Sequence, residues 1–473
     1  MSSPSWSRGL AAGKRAMPPN EMRVLAPLGM LGYGYPEESF EAGLARAPDL
    51  IAVDAGSTDA GPHKLGKGVG IVSRASTKRD LGPMVRGAGE RRIPLVIGSA
   101  GGTGQRARTD WTAEIVTEIA RERGLALSIA VIHADVAAET VLAAEAAGAL
   151  EALRGVPPVS RDEIAGTGAI VAQMGVEPIM AALEAGADVV VCGRAYDPAL
   201  FAALPILRGF DPGLALHMGK ILECGAQCAI PGAASDCILG TLDRESFTVE
   251  PLGSGRRCTP TSVAAHTLYE KSDPRRLPGP GGALDLSECR FEALDERRVR
   301  VTGSRFEPDA TYRVKVEGAL LEGWRAISIA GVRDPAMIAA LDDCLDHARD
   351  TVARWGGAEG TVSFLCYGRD GVMGAAEPER DRPAHEIGLV IEAIAGDQET
   401  ADHLCSLARS ALLHYHYPGR RSTSGNLAFP FAPSDAPCGP VYRFSLYHTL
   451  PVADPLALFP ISWLEARHAH AAE

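Results

Sequence analysis

The segment His217-Met-Gly-Lys220-Ile-Leu-Glu223-Cys224-Gly-Ala-Gln227-Cys228 holds the densest set of reactive side chains in the chain. Wound as a helix, it places His217, Lys220 and Cys224 on nearly one face, because residues three and four apart are neighbours. At ~100° per residue Glu223 falls on the flank of that face. An imidazole, an ammonium, a carboxylate and a thiol in that array suit two chemistries. One is proton transfer with Glu223 as acid or base. The other is a catalytic divalent metal held by His217, Glu223 and Cys224, with His63 as a further candidate ligand. The spacing of Cys224 and Cys228 is not that of a zinc knuckle and no second pair follows, so structural zinc is not expected.

Four other stretches carry candidate chemistry. Asp54-Ala-Gly-Ser-Thr-Asp59-Ala-Gly-Pro-His63-Lys64 gathers two carboxylates, two hydroxyls, an imidazole and an ammonium. Asp54 and Asp59 there suit acid–base work or a divalent ion, and equally the capping of a turn. In Gly98-Ser99-Ala-Gly101-Gly102-Thr103-Gly104 the glycines and hydroxyls after an apolar run suit an anion on backbone N–H groups, with Arg106 beside them. It is neither a P-loop nor a dinucleotide fingerprint. His133-Ala-Asp135 closes another apolar run, and residues i and i+2 of an extended chain point to the same side. Gly193-Arg194-Ala-Tyr-Asp197-Pro closes a third. Its arginine suits bidentate binding of a carboxylate or phosphate, and Asp197 either joins it or caps the next helix.

These stretches need a scaffold that brings them together. From Met22 to about residue 240, apolar runs alternate with helical spacing. The runs are 23–30, 49–56, 93–98, 127–135, 169–174 and 188–193, each near-continuously apolar as strands covered on both faces are. The pattern predicts a parallel sheet with helices on both faces, doubly wound or barrel-like. The candidate loops then sit at the carboxyl ends of strands, where such sheets place their sites. Residues 273–283 form a Pro/Gly-rich break, after which strands and two long helical stretches alternate in an α+β pattern of the ferredoxin-like kind. The predicted organisation is a disordered tail over 1–21, an α/β domain over 22–272 and an α+β domain over 273–473, with a mobile loop over 418–439.

Composition narrows the class. The 473 residues are 46% hydrophobic and 22% charged, with a net charge of −12, which argues against a broad nucleic-acid surface. No run reaches the length of a membrane span, and the first residues lack the apolar core of a secretory signal. Ten scattered cysteines suit reduced thiols in the cytoplasm. A homo-oligomer is expected, with no nucleic-acid or membrane partner.

The motifs in order resemble the acyclic terpene utilisation AtuA-like family. The matching segments are Arg79-Asp-Leu, Ile93-Pro-Leu-Val-Ile-Gly-Ser-Ala-Gly-Gly, Ala187-Asp-Val-Val-Val-Cys-Gly-Arg, Leu222-Glu-Cys-Gly-Ala-Gln, Leu268-Tyr-Glu-Lys-Ser-Asp-Pro-Arg and Arg298-Val-Arg-Val-Thr-Gly. They cover residues 22 to 330, with a looser continuation. The Arg-Ser-Gly-Asp-Lys-Gly type motif of many relatives is missing. The resemblance implies catabolism of branched acyclic acids, free or as coenzyme A thioesters, with Arg194, Glu223 and Cys224 as site residues. The expected activity is hydration–dehydration or isomerisation of a small anionic acid or thioester. Glu223 would work with His133 or Asp135, and Asp54 and Asp59 would complete the pocket. Arg194, Asp197 and the Ser99–Gly104 loop with Arg106 would hold the substrate. A metal-dependent hydrolase and a non-catalytic acyl-binding subunit are the alternatives.

Overall fold

The structure is a computed structural model describing residues 19–56, 61–357, 359–421 and 423–466. Asp59 and most of the expected N-terminal tail lie outside the described residues. Two compact units emerge: one comprises residues up to Leu320 together with those from Phe444 on, the other Leu321–Arg443.

Ten strands form the main sheet of the first unit. Its centre is parallel, in the order Met22–Ala26, Leu50–Asp54, Leu95–Gly98, Val189–Cys192, Leu127–Ile132. Antiparallel strands flank it: Ile238–Leu242 and Ser246–Pro251 lead one side, and Ile461–Ala466 closes the other. The expected α/β architecture is therefore present as a mixed sheet with a parallel core. Alternation explains why its strands read as continuous apolar runs. Leu50 and Ala52 point into one core with Val96, Val190 and Phe201, while Ile51 and Val53 point into a second with Ile97, Val191 and Met84. Both faces are thus covered, as parallel sheets require.

The apolar run ending at Met174 behaves differently from the expectation. Ala169–Ala172 pairs antiparallel with Val316–Ala319 and stays out of the parallel sheet. The reason is a full edge: Ile461–Ala466, from the far end of the chain, already occupies the free side of Leu127–Ile132.

In the second unit a strand is followed by two helices, Pro335–Ala339 and Leu341–Trp355, then by two strands, a helix and a last strand. Its sheet order places Gly360–Tyr367 beside Ile387–Ala395, which pairs in turn with Trp324–Val332. The helices Leu341–Trp355 and Gln398–His414 bury Leu345, Leu404 and Ala408 against Leu389 and Ile391.

Candidate active site

Val189–Cys192 lies between Leu95–Gly98 and Leu127–Ile132, so the loop that follows it emerges from an interior strand of the parallel sheet. Arg194 sits there, buried. Its Nε and Nη2 donate to the two carboxylate oxygens of Glu317, each at 3.2 Å, and its Nη1 donates to Ser99 Oγ at 3.0 Å. Ser99 is held in the left-handed region (φ 46°), a strained conformation for a non-glycine residue. Its hydroxyl also accepts from the Ala195 N–H at 3.3 Å. The Gly98–Gly104 loop thus braces Arg194 from behind. Gly104 has φ +68°, and a Cβ there would collide with the backbone nitrogen of Arg194. Gly104→Ala is therefore expected to lower stability by about 2–4 kcal/mol. A denaturant midpoint equal to that of the parent protein would contradict this.

Glu317 is buried, which alone would raise its carboxyl, but Arg194 and Lys315 hold it down at about 2. Lys315 Nζ lies 2.7 Å from Glu317 Oε1. The guanidinium is thereby kept charged and in one pose at the base of a cavity of about 640 Å³.

The helix Pro212–Leu222 delivers the second half of the site. It is almost wholly buried, opens on the side-chain cap of Asp211, and ends at Glu223. The chain then reverses at Gly225 (φ +59°), where a Cβ would press on backbone atoms of Gly29, Ala234 and Asp236. The three-residue spacing brings Lys220 Nζ onto Glu223 Oε1 in a short, buried ion pair. Burial raises Glu223, Lys220 opposes, and the charge of Asp197 raises it further, leaving its carboxyl at about 7. Asp54 is pushed well above its usual range by burial and then by Asp197, with Arg194 opposing.

Arg194, Tyr196, Asp197, Lys220, Glu223 and Lys271 all line the 640 Å³ cavity. Among the described residues, three buried polar atoms on its wall have no hydrogen-bond partner: Tyr196 Oη, Asp197 Oδ1 and Glu223 Oε2. Asp197 Oδ1 lies 3.5 Å from Arg194 Nη1, an ion pair without hydrogen-bond geometry. Unpartnered buried groups are costly, and three on one wall point to a ligand that completes them. Tyr196, Gly279, Pro280 and Asp309 also line a second cavity of about 300 Å³, whose other walls include Leu216, Leu277, Leu284 and Phe306. The two cavities therefore adjoin along this shared wall, and the second adds an aliphatic and aromatic patch.

Other residues singled out from the sequence are placed elsewhere. His133 Nε2 pairs with Asp110 Oδ1 at 2.7 Å, and its Nδ1 faces Arg106 Nη1 at 3.0 Å. Asp135 accepts from the Arg106 backbone N–H at 2.8 Å, capping the helix Arg106–Glu122. Neither His133 nor Asp135 lines the cavity. Ser99, Gly101, Gly102, Thr103 and Gly104 also lie off its wall. His217 is fully buried, with its two ring nitrogens at Ser304 Oγ (2.7 Å) and Thr267 Oγ1 (3.0 Å) and its ring edge-on to Phe247. Burial holds it neutral, lowered to about 3. Cys224 is half-buried and its thiol is pushed up by burial and the Glu223 charge. His63 lies on the short helix Gly61–Lys67. Among the described residues no group of three or more His, Cys, Asp and Glu side chains is placed to hold a metal ion, so the donor set does not fit the metal considered above. No helix among them is long and apolar enough to cross a membrane.

Glu317 and Lys271 were not singled out from the sequence. Lys271 does lie in the Leu268-Tyr-Glu-Lys segment, whereas Glu317 carries no local signal.

The fold and the cavity define a class: an α/β protein with a mixed-charge chamber at the carboxyl ends of its central strands. A family profile described as acyclic terpene utilisation family protein AtuA matches residues 75–237 and 243–430, and the chain belongs to that family. No curated protein and no solved structure matches it.

Proposed function

We propose that the protein is a catabolic enzyme acting by proton transfer next to the carbonyl of a small carboxylic acid or acyl thioester. The outcome is dehydration–hydration or isomerisation. The observation that carries this reading is Glu223: one oxygen is bound to Lys220, the other is buried, unpartnered and on the cavity wall. A general base works best when its pKa lies near the operating pH, and about 7 meets that condition. Arg194, fixed by Glu317 and Ser99, supplies a permanent charge for the substrate's anionic group or for charge that develops on its carbonyl oxygen. The patch of Leu216, Leu277, Leu284 and Phe306 in the adjoining cavity suits an aliphatic chain.

In this reading the carbon next to the carbonyl gives its proton to Glu223 Oε2. The proton then returns at another carbon (isomerisation) or leaves with a β-hydroxyl as water (dehydration). Tyr196, with its unpartnered hydroxyl on the same wall, is the donor that geometry favours over His133 or Asp135.

The test is the pH profile of kcat/KM. Glu223 must be ionised to accept a proton, so activity rises with pH through about 7. Lys220 lowers the Glu223 pKa, so Lys220→Met moves that limb to higher pH. A limb unmoved in this variant would remove Glu223 as its source.

A further inference from the structure

Three lysines face the cavity, and they differ. Lys315 is paired with Glu317. Lys220 is tied: its ammonium pairs with Glu223 and lies 5.8 Å from the Tyr269 ring centroid. Lys271 has no hydrogen-bond or ion-pair partner for its amine among the described residues, although it lines the same chamber. It is partly buried, and it shares the wall with Lys220 and with Glu223, Asp197 and Glu270, all of whose charges act on it. The residue before it, Glu270, is a non-glycine residue with φ 60°. Strained backbone of this kind persists where surrounding structure enforces it, often at functional sites. Glu270 and Lys271 both line the chamber, so the strained turn is part of its wall.

We propose that Lys271 is a nucleophilic amine that forms an imine with a ketone or aldehyde carbonyl of the ligand in this chamber. The proposal rests on the proton-transfer reading and narrows its substrate class to an oxo acid. A lysine that binds by charge alone would keep its proton. Burial and then the charge of Lys220 lower Lys271, while the charges of Glu223, Asp197 and Glu270 oppose them. In the step itself the amine lone pair attacks the carbonyl carbon. A C=N bond replaces the C=O bond, and the carbonyl oxygen leaves as water with the two amine hydrogens. Glu223, on the same wall, relays one of them. Nothing is oxidised or reduced. Once protonated, the imine draws electrons from the neighbouring carbon, which eases the proton removal assigned to Glu223.

The test is brief reductive alkylation of the full-length protein with propanal and cyanoborohydride at neutral pH, followed by peptide mass mapping. Propanal is small enough to enter the chamber whatever the natural substrate. Exposed Lys67 is the internal reference. Lys271 is expected to be labelled roughly tenfold faster than Lys67, as an amine that holds its proton less tightly would be. Acetoacetate, used in place of propanal, is expected to leave a reduced adduct on Lys271 that Lys271→Arg lacks. Labelling of Lys271 no faster than Lys67 overturns the proposal. That result would leave the proton-transfer reading standing if Glu223→Gln still lacks activity. Fast labelling of Lys271 in a protein whose activity survives Glu223→Gln would instead leave the imine and remove the proton-transfer reading.

Discussion

Glu223→Gln is expected to lower turnover about 10²–10⁴-fold, the usual contribution of a positioned acid or base. The substitution is nearly isosteric. The amide oxygen it introduces still accepts from Lys220, so the helix end and the Gly225 turn keep their packing. What disappears is the group whose free oxygen faces the chamber and whose pKa lies near neutrality. Unfolding should therefore change far less than activity. Parallel measurements of kcat and the thermal midpoint separate the two effects. Full activity in the variant refutes the assignment, and a collapse of both quantities would make Glu223 a structural residue.

The second large effect falls on stability. Glu317→Ala leaves Arg194 buried without its bidentate partner, and it also strips Lys315 of its carboxylate. Removing one member of a buried pair costs about 3–5 kcal/mol, because the remaining charge is uncompensated. Replacing both Arg194 and Glu317 by methionine should recover part of that loss, since the buried guanidinium is then no longer stranded, although Lys315 still lacks its carboxylate. A double variant no more stable than Glu317→Ala would show that something other than the stranded charge is responsible. The sign with pH follows from the lowered carboxyl. Glu317 contributes stability above its ordinary value of 4.5 and loses it as pH falls toward about 2. Glu317→Ala should therefore flatten the acid limb of the unfolding profile.

Local signals carried much of this site. Apolar runs gave the central strands because each is buried on both faces, and the loops after them hold Arg194, Ser99 and Asp54. Three-residue spacing on one helix gave Lys220 with Glu223. Features set by tertiary pairing did not show. Glu317 stands 123 positions from Arg194, on a strand whose own pattern gives no hint of the pair. Ala169–Ala172 looks like any buried strand, and only the C-terminal strand's claim on the sheet edge explains its other partner. The cluster around His217 illustrates the reverse case. A histidine in line with a lysine and a cysteine reads as reactive, yet two hydroxyls and an aromatic cage account for it. His133 and Asp135 share a strand end as their spacing implies, but Asp110 and the Arg106 N–H take up their polar atoms. Lys271 was visible as part of a motif and not as a reactive group, because its significance lies in what fails to pair with it.

The most direct test of the account is hydrogen–deuterium exchange followed by NMR. A panel of short branched aliphatic acids, oxo acids and thioesters is incubated in D₂O with the parent protein and with Glu223→Gln. The account predicts exchange at the carbon next to the carbonyl of at least one class, catalysed by the parent protein and lost in the variant. Exchange that proceeds equally well in Glu223→Gln would contradict it.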